Sequence, residues 1–122
     1  GPGEGLFTED FYRNCYKALK EDGIMINQNE SPYYEKERKE FKRANKKIQK
    51  IFPIVEVYQF HMPTYPSGHW LFGFSSKKIR PVKENIEDWN NLNINTKYYN
   101  TELHKGSFML PNYVKEIIKD EK

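Results

Sequence analysis

Residues 8–30 read TEDFYRNCYKALKEDGIMINQNE, and the fold is read outward from this stretch. Thr8 is an N-cap residue, with Glu9 and Asp10 in the first turn, where negative charge suits the helix dipole. Phe7, before the cap, is placed to staple onto Tyr12. Tyr12, Cys15, Tyr16 and Leu19 keep the i, i+3, i+4, i+7 rhythm of one buried face. Gly23 reads as the left-handed residue that closes the helix. Ile24-Met25-Ile26 is a short apolar run that turns polar at Asn27-Gln28-Asn29-Glu30, as a buried strand does at its carboxyl end. Helix, glycine turn and strand make half of a β-α-β unit, which predicts a parallel sheet whose remainder is not in this chain.

Downstream, Phe41, Ala44, Ile48 and Phe52 form one stripe of a second helix over 34–50, closed by Pro53. Eight Lys and Arg residues fill its other faces. Residues 54–62 and 69–76 read as strands, joined by Pro63-Thr64-Tyr65-Pro66-Ser67-Gly68 and so most simply antiparallel. Residues 79–97 have few apolar positions and several Asn, and read as an excursion over the surface. Pro111 suits the first residue of a last helix, with Val114, Ile117 and Ile118 as its apolar face. The order is α-β-α-β-β, the C-terminal half of an α/β sheet with an antiparallel strand pair at its end.

Composition narrows the function class. A chain of 122 residues has room for one small domain. Its formal charge is only +3 and the acids are interspersed with the bases, which is too mild to imply nucleic acid. Only 37% of residues are hydrophobic, but 8 Phe, 9 Tyr and 2 Trp raise the area each can bury. No apolar run approaches the ~18 residues of a membrane span. The single cysteine, Cys15, forms no internal disulfide and no zinc cluster alone. The class is a soluble protein of a reducing compartment.

Each candidate chemistry competes with a plainer reading. The basic residues between 36 and 50 could meet phosphates, but Glu35, Glu37 and Glu40 sit among them, and a solvated outer face accounts for them better. His61, His69 and His104 lack metal-ligand spacing. Cys15 reads as a small buried hydrophobe with no base at hand. There is no glycine-rich phosphate loop or nucleophile elbow. What remains is Glu30 closing the first strand, and Tyr65 and Trp70 flanking the hairpin loop, at the strand ends where open α/β sheets bind ligands. Each residue alone has an ordinary rim or core reading. Together they suit a cationic ligand, with aromatic faces attracting ammonium and a carboxylate neutralising it.

At this point several motifs in order resemble one family. Gly1-Pro2-Gly3, Leu6-Phe7 and Phe11-Tyr12 are similar to the G-P-A-x-x-L-[FY]-x-x-x-[FY]-[FY] stretch of spermidine synthases. Ala18-Leu19-Lys20 with Gly23 resembles their A-L-K-x-x-G. Phe52-Pro53 and Pro63-Thr64-Tyr65-Pro66-Ser67-Gly68 resemble F-P and T-Y-P-S-G, and Lys97-Tyr98-Tyr99-Asn100, His104 and Phe108 to Pro111 resemble the closing K-Y-Y-N-x-x-x-H-x-A-x-F-x-L-P. The resemblance runs from Gly1 to about Val114.

It implies a Rossmann-like, methyltransferase-type fold and transfer of an aminopropyl group from decarboxylated S-adenosylmethionine to putrescine. No resident cofactor or metal is implied; the sulfonium nucleoside is a co-substrate. Tyr65, Trp70, Gln28 and Glu30 match diamine-binding positions, and Pro2, Gly3 and Leu6 match the loop against the adenine. Gly3, and Gly106-Ser107, depart from the family's Ala and Ala-Ala. Trp70 stands where other members carry an aliphatic residue, which leaves the preferred amine open.

The family's catalytic acids, D-x-x-D-P, directly precede the G-P pair, and its nucleoside loop and small N-terminal β domain lie further upstream, so no catalytic residue is expected in this chain. Residues 1–122 are read as the C-terminal part of the catalytic domain, inactive alone. They are expected in a bacterial cytoplasm, as a homo-oligomer or paired with the N-terminal part, without nucleic-acid or membrane partners. A non-catalytic partner on the same fold and a basic nucleic-acid module are the alternatives.

Overall fold

The computed structural model describes residues 7–119. The elements run α1 (Glu9–Ala18), β1 (Ile24–Gln28), α2 (Glu35–Gln49), β2 (Ile54–His61), β3 (His69–Ser76), α3 (Ile86–Asn91), α4 (Thr101–Ser107) and α5 (Asn112–Lys119). Thr8 caps α1 as expected, its Oγ1 accepting from Phe11 N at 3.2 Å. The staple expected onto Tyr12 is made with Phe11, whose ring Phe7 meets edge-on at 5.4 Å.

Gly23 acts differently from a left-handed cap. The helix closes at Leu19, whose N–H reaches Cys15 and Tyr16 carbonyls, and Gly23 has no positive φ. Instead its N–H donates to Lys20 O at 2.9 Å. A Cβ there would stand 2.9 Å from Leu19 Cδ2 and 3.1 Å from Lys20 O. Close approach in the turn demands the glycine, not backbone handedness.

The sheet has the order β1-β3-β2, and both ladders are antiparallel. Ile26 faces Phe74 and Gln28 faces Phe72 across one; Tyr58 faces Phe72 and Phe60 faces Trp70 across the other. The expected parallel neighbours are therefore absent among the described residues. β1 and β2 do run in the same direction, joined by the α2 crossover, but β3 lies between them. The physical reason is the short connection after β2: it returns the chain beside β2, and the other edge of β3 takes β1.

Side-chain alternation splits the sheet into two faces. On one, Val57 and Leu71 meet Phe41 of α2 and Val114 of α5, flanked by Leu110, Ile117 and Ile118. Beside them Met25 and Val55 pack on Tyr12, Ile48 and Phe52. The outer face of α2 leaves Lys36, Lys39, Arg43 and Lys46 exposed, as a solvated face should. On the second face Tyr58 meets Phe72 and Phe108 at 5.4 and 5.1 Å, and Phe74 meets Phe108 at 6.2 Å. Ile24 and Ile26 belong to this face and are 42% and 48% exposed, so β1 is not the buried strand its composition suggests. The described residues cover the second face over β2 and β3 and leave β1 open.

The 79–97 excursion is more ordered than its composition suggests. It contains α3, with Ile86 buried, and Trp89 packs edge-on against Tyr99 at 5.2 Å. Asn100 caps α4 through Leu103 N at 2.7 Å. His104 then bridges Tyr99 Oη at 2.8 Å and Pro81 O at 2.6 Å, tying the excursion down. The last helix starts one residue after Pro111.

One contact inside the sheet yields a stability prediction. Asn27 and Gly73 are direct partners, and the Asn27 amide lies over Gly73, while its Nδ2 donates to Asn29 Oδ1 at 3.1 Å. A Cβ on Gly73 would fall on Asn27 Oδ1 and stand 3.0 Å from its Cγ. In the protein expressed from its complete coding region, Gly73→Ala should cost about 1–3 kcal/mol in urea unfolding. An Asn27→Ala background should remove at least half of that cost; an equal cost in both backgrounds would place the strain elsewhere.

Candidate functional site

Because β3 runs against both neighbours, the carboxyl end of β1 and the β2–β3 connection emerge at one end of the sheet. The connection is folded on itself: Tyr65 N donates to Met62 O at 3.0 Å, Gly68 N to Tyr65 O at 3.0 Å, and Met62 N to Gly68 O at 2.9 Å. Ser67 and Gly68 both have positive φ, 70° and 68°. Glycine takes this conformation freely; Ser67 is held in it by its hydroxyl. That Oγ lies 3.3 Å from His69 N and 3.2 Å from His69 O, and 2.8 Å from Ser31 Oγ.

The Ser31–Ser67 contact joins the two segments that carry the residues singled out in the sequence. Asn29 N donates to Leu71 O at 2.8 Å, leaving Glu30 and Trp70 as the next residues outward on the two strands. Tyr65 and Trp70 form an edge-on pair at 4.9 Å, and Trp70 Nε1 donates to Pro66 O at 3.3 Å. Tyr65 is exposed. Gln28, exposed, and Glu30, half-buried, line an open cleft of about 590 Å³ between α1 and α2, together with Phe11, Asn29 and Glu40. Tyr65 and Trp70 lie outside that cleft. Pro2, Gly3 and Leu6 lie outside the described residues.

Burial pushes the Glu30 carboxyl above its ordinary range, the Glu37 and Glu40 carboxylates push it further, and Lys36 opposes them. A positive charge beside Glu30 would therefore be favoured locally, while Arg43 and Lys47 line the same cleft on the α2 side. Among the described residues, no group of three or more His, Cys, Asp and Glu is placed to hold a metal ion. No helix there is long and apolar enough to cross a membrane. Cys15, half-buried, lines the cleft on α1.

The sequence reading passed over His69, which it weighed only as a metal ligand. Its side chain is buried on the face shared with Leu71, with Nε2 2.7 Å from Gln59 Oε1 and Nδ1 2.6 Å from Tyr113 Oη. Burial, then the charge of His61, lowers its pKa. Burial and the neighbouring Tyr33 hydroxyl push Tyr113 up to about 12. A usable signal was present: His69 alternates with Leu71 on the inward face of a strand, and a buried imidazole must find partners.

Known proteins resemble this chain in sequence and in fold. Residues 1–87 match the spermine/spermidine synthase domain. The polyamine aminopropyltransferases of Clostridium perfringens (strain SM101) and Alkaliphilus oremlandii are 66% and 65% identical over 120 and 122 residues. These matches cover 98% and 99% of this chain but only 42% and 43% of the relatives, so the chain spans under half their length. A crystal structure of spermidine synthase in complex with the transition-state analogue AdoDATO superimposes with a TM-score of 0.86 at 48% identity, over 98% of this chain and 40% of that one. The Thermotoga maritima spermidine synthase gives 0.84 at 48% identity, over 93% and 39%. The described elements are thus the C-terminal part of a Rossmann-like, methyltransferase-type sheet, and the chain belongs to the spermine/spermidine synthase domain family.

Proposed function

We propose that the polypeptide carrying this chain is a spermidine synthase. It transfers an aminopropyl group from decarboxylated S-adenosylmethionine to putrescine, giving spermidine and 5′-methylthioadenosine. Residues 1–122 are the C-terminal part of its catalytic domain. The observation that carries this reading is the meeting, at one sheet end, of the Tyr65–Trp70 pair with the Gln28–Glu30 strand end through Ser31 and Ser67. That is a cation-recognising arrangement in a chain of this family.

The chemistry assigns the parts. The primary amine's nitrogen attacks the aminopropyl carbon next to the sulfonium. The carbon–sulfur bond breaks with its electron pair moving to sulfur, and the amine proton passes to a carboxylate. A free alkylamine is protonated at neutral pH, with a pKa near ~10.4. The enzyme must therefore hold one ammonium and deprotonate the other. Glu30 and Gln28 receive the distal ammonium, and Tyr65 and Trp70 line the diamine's path. Pro2, Gly3 and Leu6 are assigned to the adenine by their match to the family's motif. The proton-accepting carboxylates come from the segment that precedes the G-P pair in the family pattern. The isolated 122 residues therefore bind the acceptor weakly and transfer nothing. The enzyme works in the cytoplasm without a resident cofactor, as a homo-oligomer.

Mass spectrometry of the protein expressed from its complete coding region, supplied with putrescine and decarboxylated S-adenosylmethionine, should show spermidine and methylthioadenosine. Absence of both would overturn the assignment, and spermidine formed by residues 1–122 alone would overturn the division of labour. Trp70→Ala should raise the putrescine KM by roughly 2–30-fold, the loss of one partly desolvated cation–aromatic contact.

Glu30 yields a second test, in which stability and binding move in opposite directions. Its pKa is raised by folding, so the folded state holds that proton more tightly than the unfolded one. Its favourable contribution is present below the unfolded pKa and is lost as pH rises through the folded one, leaving an ionised carboxylate that opposes folding at neutral pH. Glu30→Gln should raise the melting temperature at about pH 8, with the gain shrinking toward about pH 4, while the putrescine KM increases. A lower melting temperature at the higher pH would show that Glu30 is stabilised as the anion.

A further inference from the structure

We infer that His69 is a positioning residue for the diamine end of the site, acting as the neutral imidazole protonated on Nε2; this rests on the function proposed above. Hydrogen-bond directions fix the tautomer. Gln59 Nε2 donates to Met109 O at 2.9 Å, so Gln59 Oε1 is the acceptor turned to the ring. His69 Nε2 therefore carries the hydrogen, Nδ1 is bare, and Nδ1 accepts from Tyr113 Oη. The chain Tyr113 to His69 to Gln59 to Met109 O runs in one direction, and each donor along it meets an acceptor.

The placement of this chain gives it a role. Met109 and Tyr113 flank the start of α5, so the two ends of the relay clamp that segment onto the β2–β3 hairpin. Through its backbone, His69 holds Ser67 of the connection that carries Tyr65. Ser67 in turn holds Ser31, whose Oγ accepts from Tyr33 N at 3.2 Å. The Tyr33 ring closes the circuit, stacked on Tyr113 at 5.5 Å and edge-on to His69 at 5.9 Å. Every segment that carries a diamine-binding residue thus meets at His69, which itself faces away from Trp70. It sets the spacing between Glu30 and the Tyr65–Trp70 pair without touching the amine.

The test uses steady-state kinetics of the protein expressed from its complete coding region. His69→Ala should raise the putrescine KM about tenfold, with kcat and the KM for decarboxylated S-adenosylmethionine within about twofold of the parent. Tyr113→Phe keeps the ring stack, loses one donor, and should raise the putrescine KM about threefold. His69→Gln should restore it to within about twofold, since an amide donates and accepts in one side chain. If His69→Ala does not fold, the other two variants decide. An active parent whose KM for putrescine is unmoved by Tyr113→Phe and His69→Ala overturns the positioning role, as does a fall confined to kcat, or failure of His69→Gln to restore binding. A parent that makes no spermidine overturns the function and the positioning role together.

Discussion

The structure depends first on β3 lying antiparallel between β1 and β2. That arrangement sends β1 and β2 in one direction while their backbone groups pair with a strand running the other way. It fixes the register of Gln28, Phe72 and Tyr58 in one row. It also gathers the end of β1 and the β2–β3 connection at one edge, so the segments that carry residues 30 and 65 meet through Ser31 and Ser67 despite the long helix between them in sequence. A one-residue slip of β3 would turn Leu71 outward and Phe72 inward, and both cores would be lost. The packing against the two faces of β3 therefore holds the site's geometry as firmly as any contact inside it.

Polar contacts refine what packing sets. Ser67 takes a left-handed conformation that costs a non-glycine residue roughly 1–2 kcal/mol, and its single hydroxyl meets His69 backbone atoms and Ser31. A buried donor or acceptor left unmet costs about 1–3 kcal/mol. His69 and Gln59 avoid that cost only in the one tautomer and one amide orientation described. Such networks permit few alternatives, which is useful where two loops must keep a fixed separation.

Much of this was legible before the fold was seen. The helices over 35–49 and 112–119 and the two hairpin strands follow from apolar stripes and a proline–glycine connection, and the structure places them within a few residues. Sheet order was not legible, because the β-α-β pattern specifies the direction of β1 and β2 and is silent on whether a later strand enters between them. Ile24-Met25-Ile26 looked buried on both faces because composition cannot say whether the covering layer belongs to the same segment. Helix α4 was missed since His104, Gly106 and Ser107 are weak helix formers; its stability comes from the Asn100 cap and from His104 bridging Tyr99 and Pro81. Of the proposed site, Glu30, Tyr65 and Trp70 were legible as residue types at the strand ends and in the loop between them. His69 was legible only as an inward-facing strand residue, since its partners lie 10 and 44 residues away.

Local charge, rather than net charge, governs the ligand proposed here. The chain is net positive, and α2 is its most basic element, so a cationic substrate looks unfavourable at first. Yet several of those cations are engaged at the surface: Lys39 with Glu35, Lys50 with Glu9, and Lys47 with the Phe7 carbonyl. The field at the sheet end is set by what faces it, and Glu30 responds to Glu37 and Glu40 more strongly than to Lys36. Arg43 and Lys47 line the same cleft as Glu30, but the charges that shift Glu30 are those of Glu37, Glu40 and Lys36. A diamine binding beside Glu30 would relieve the repulsion among these carboxylates, which links the destabilising charge at this site to the ligand it is proposed to receive.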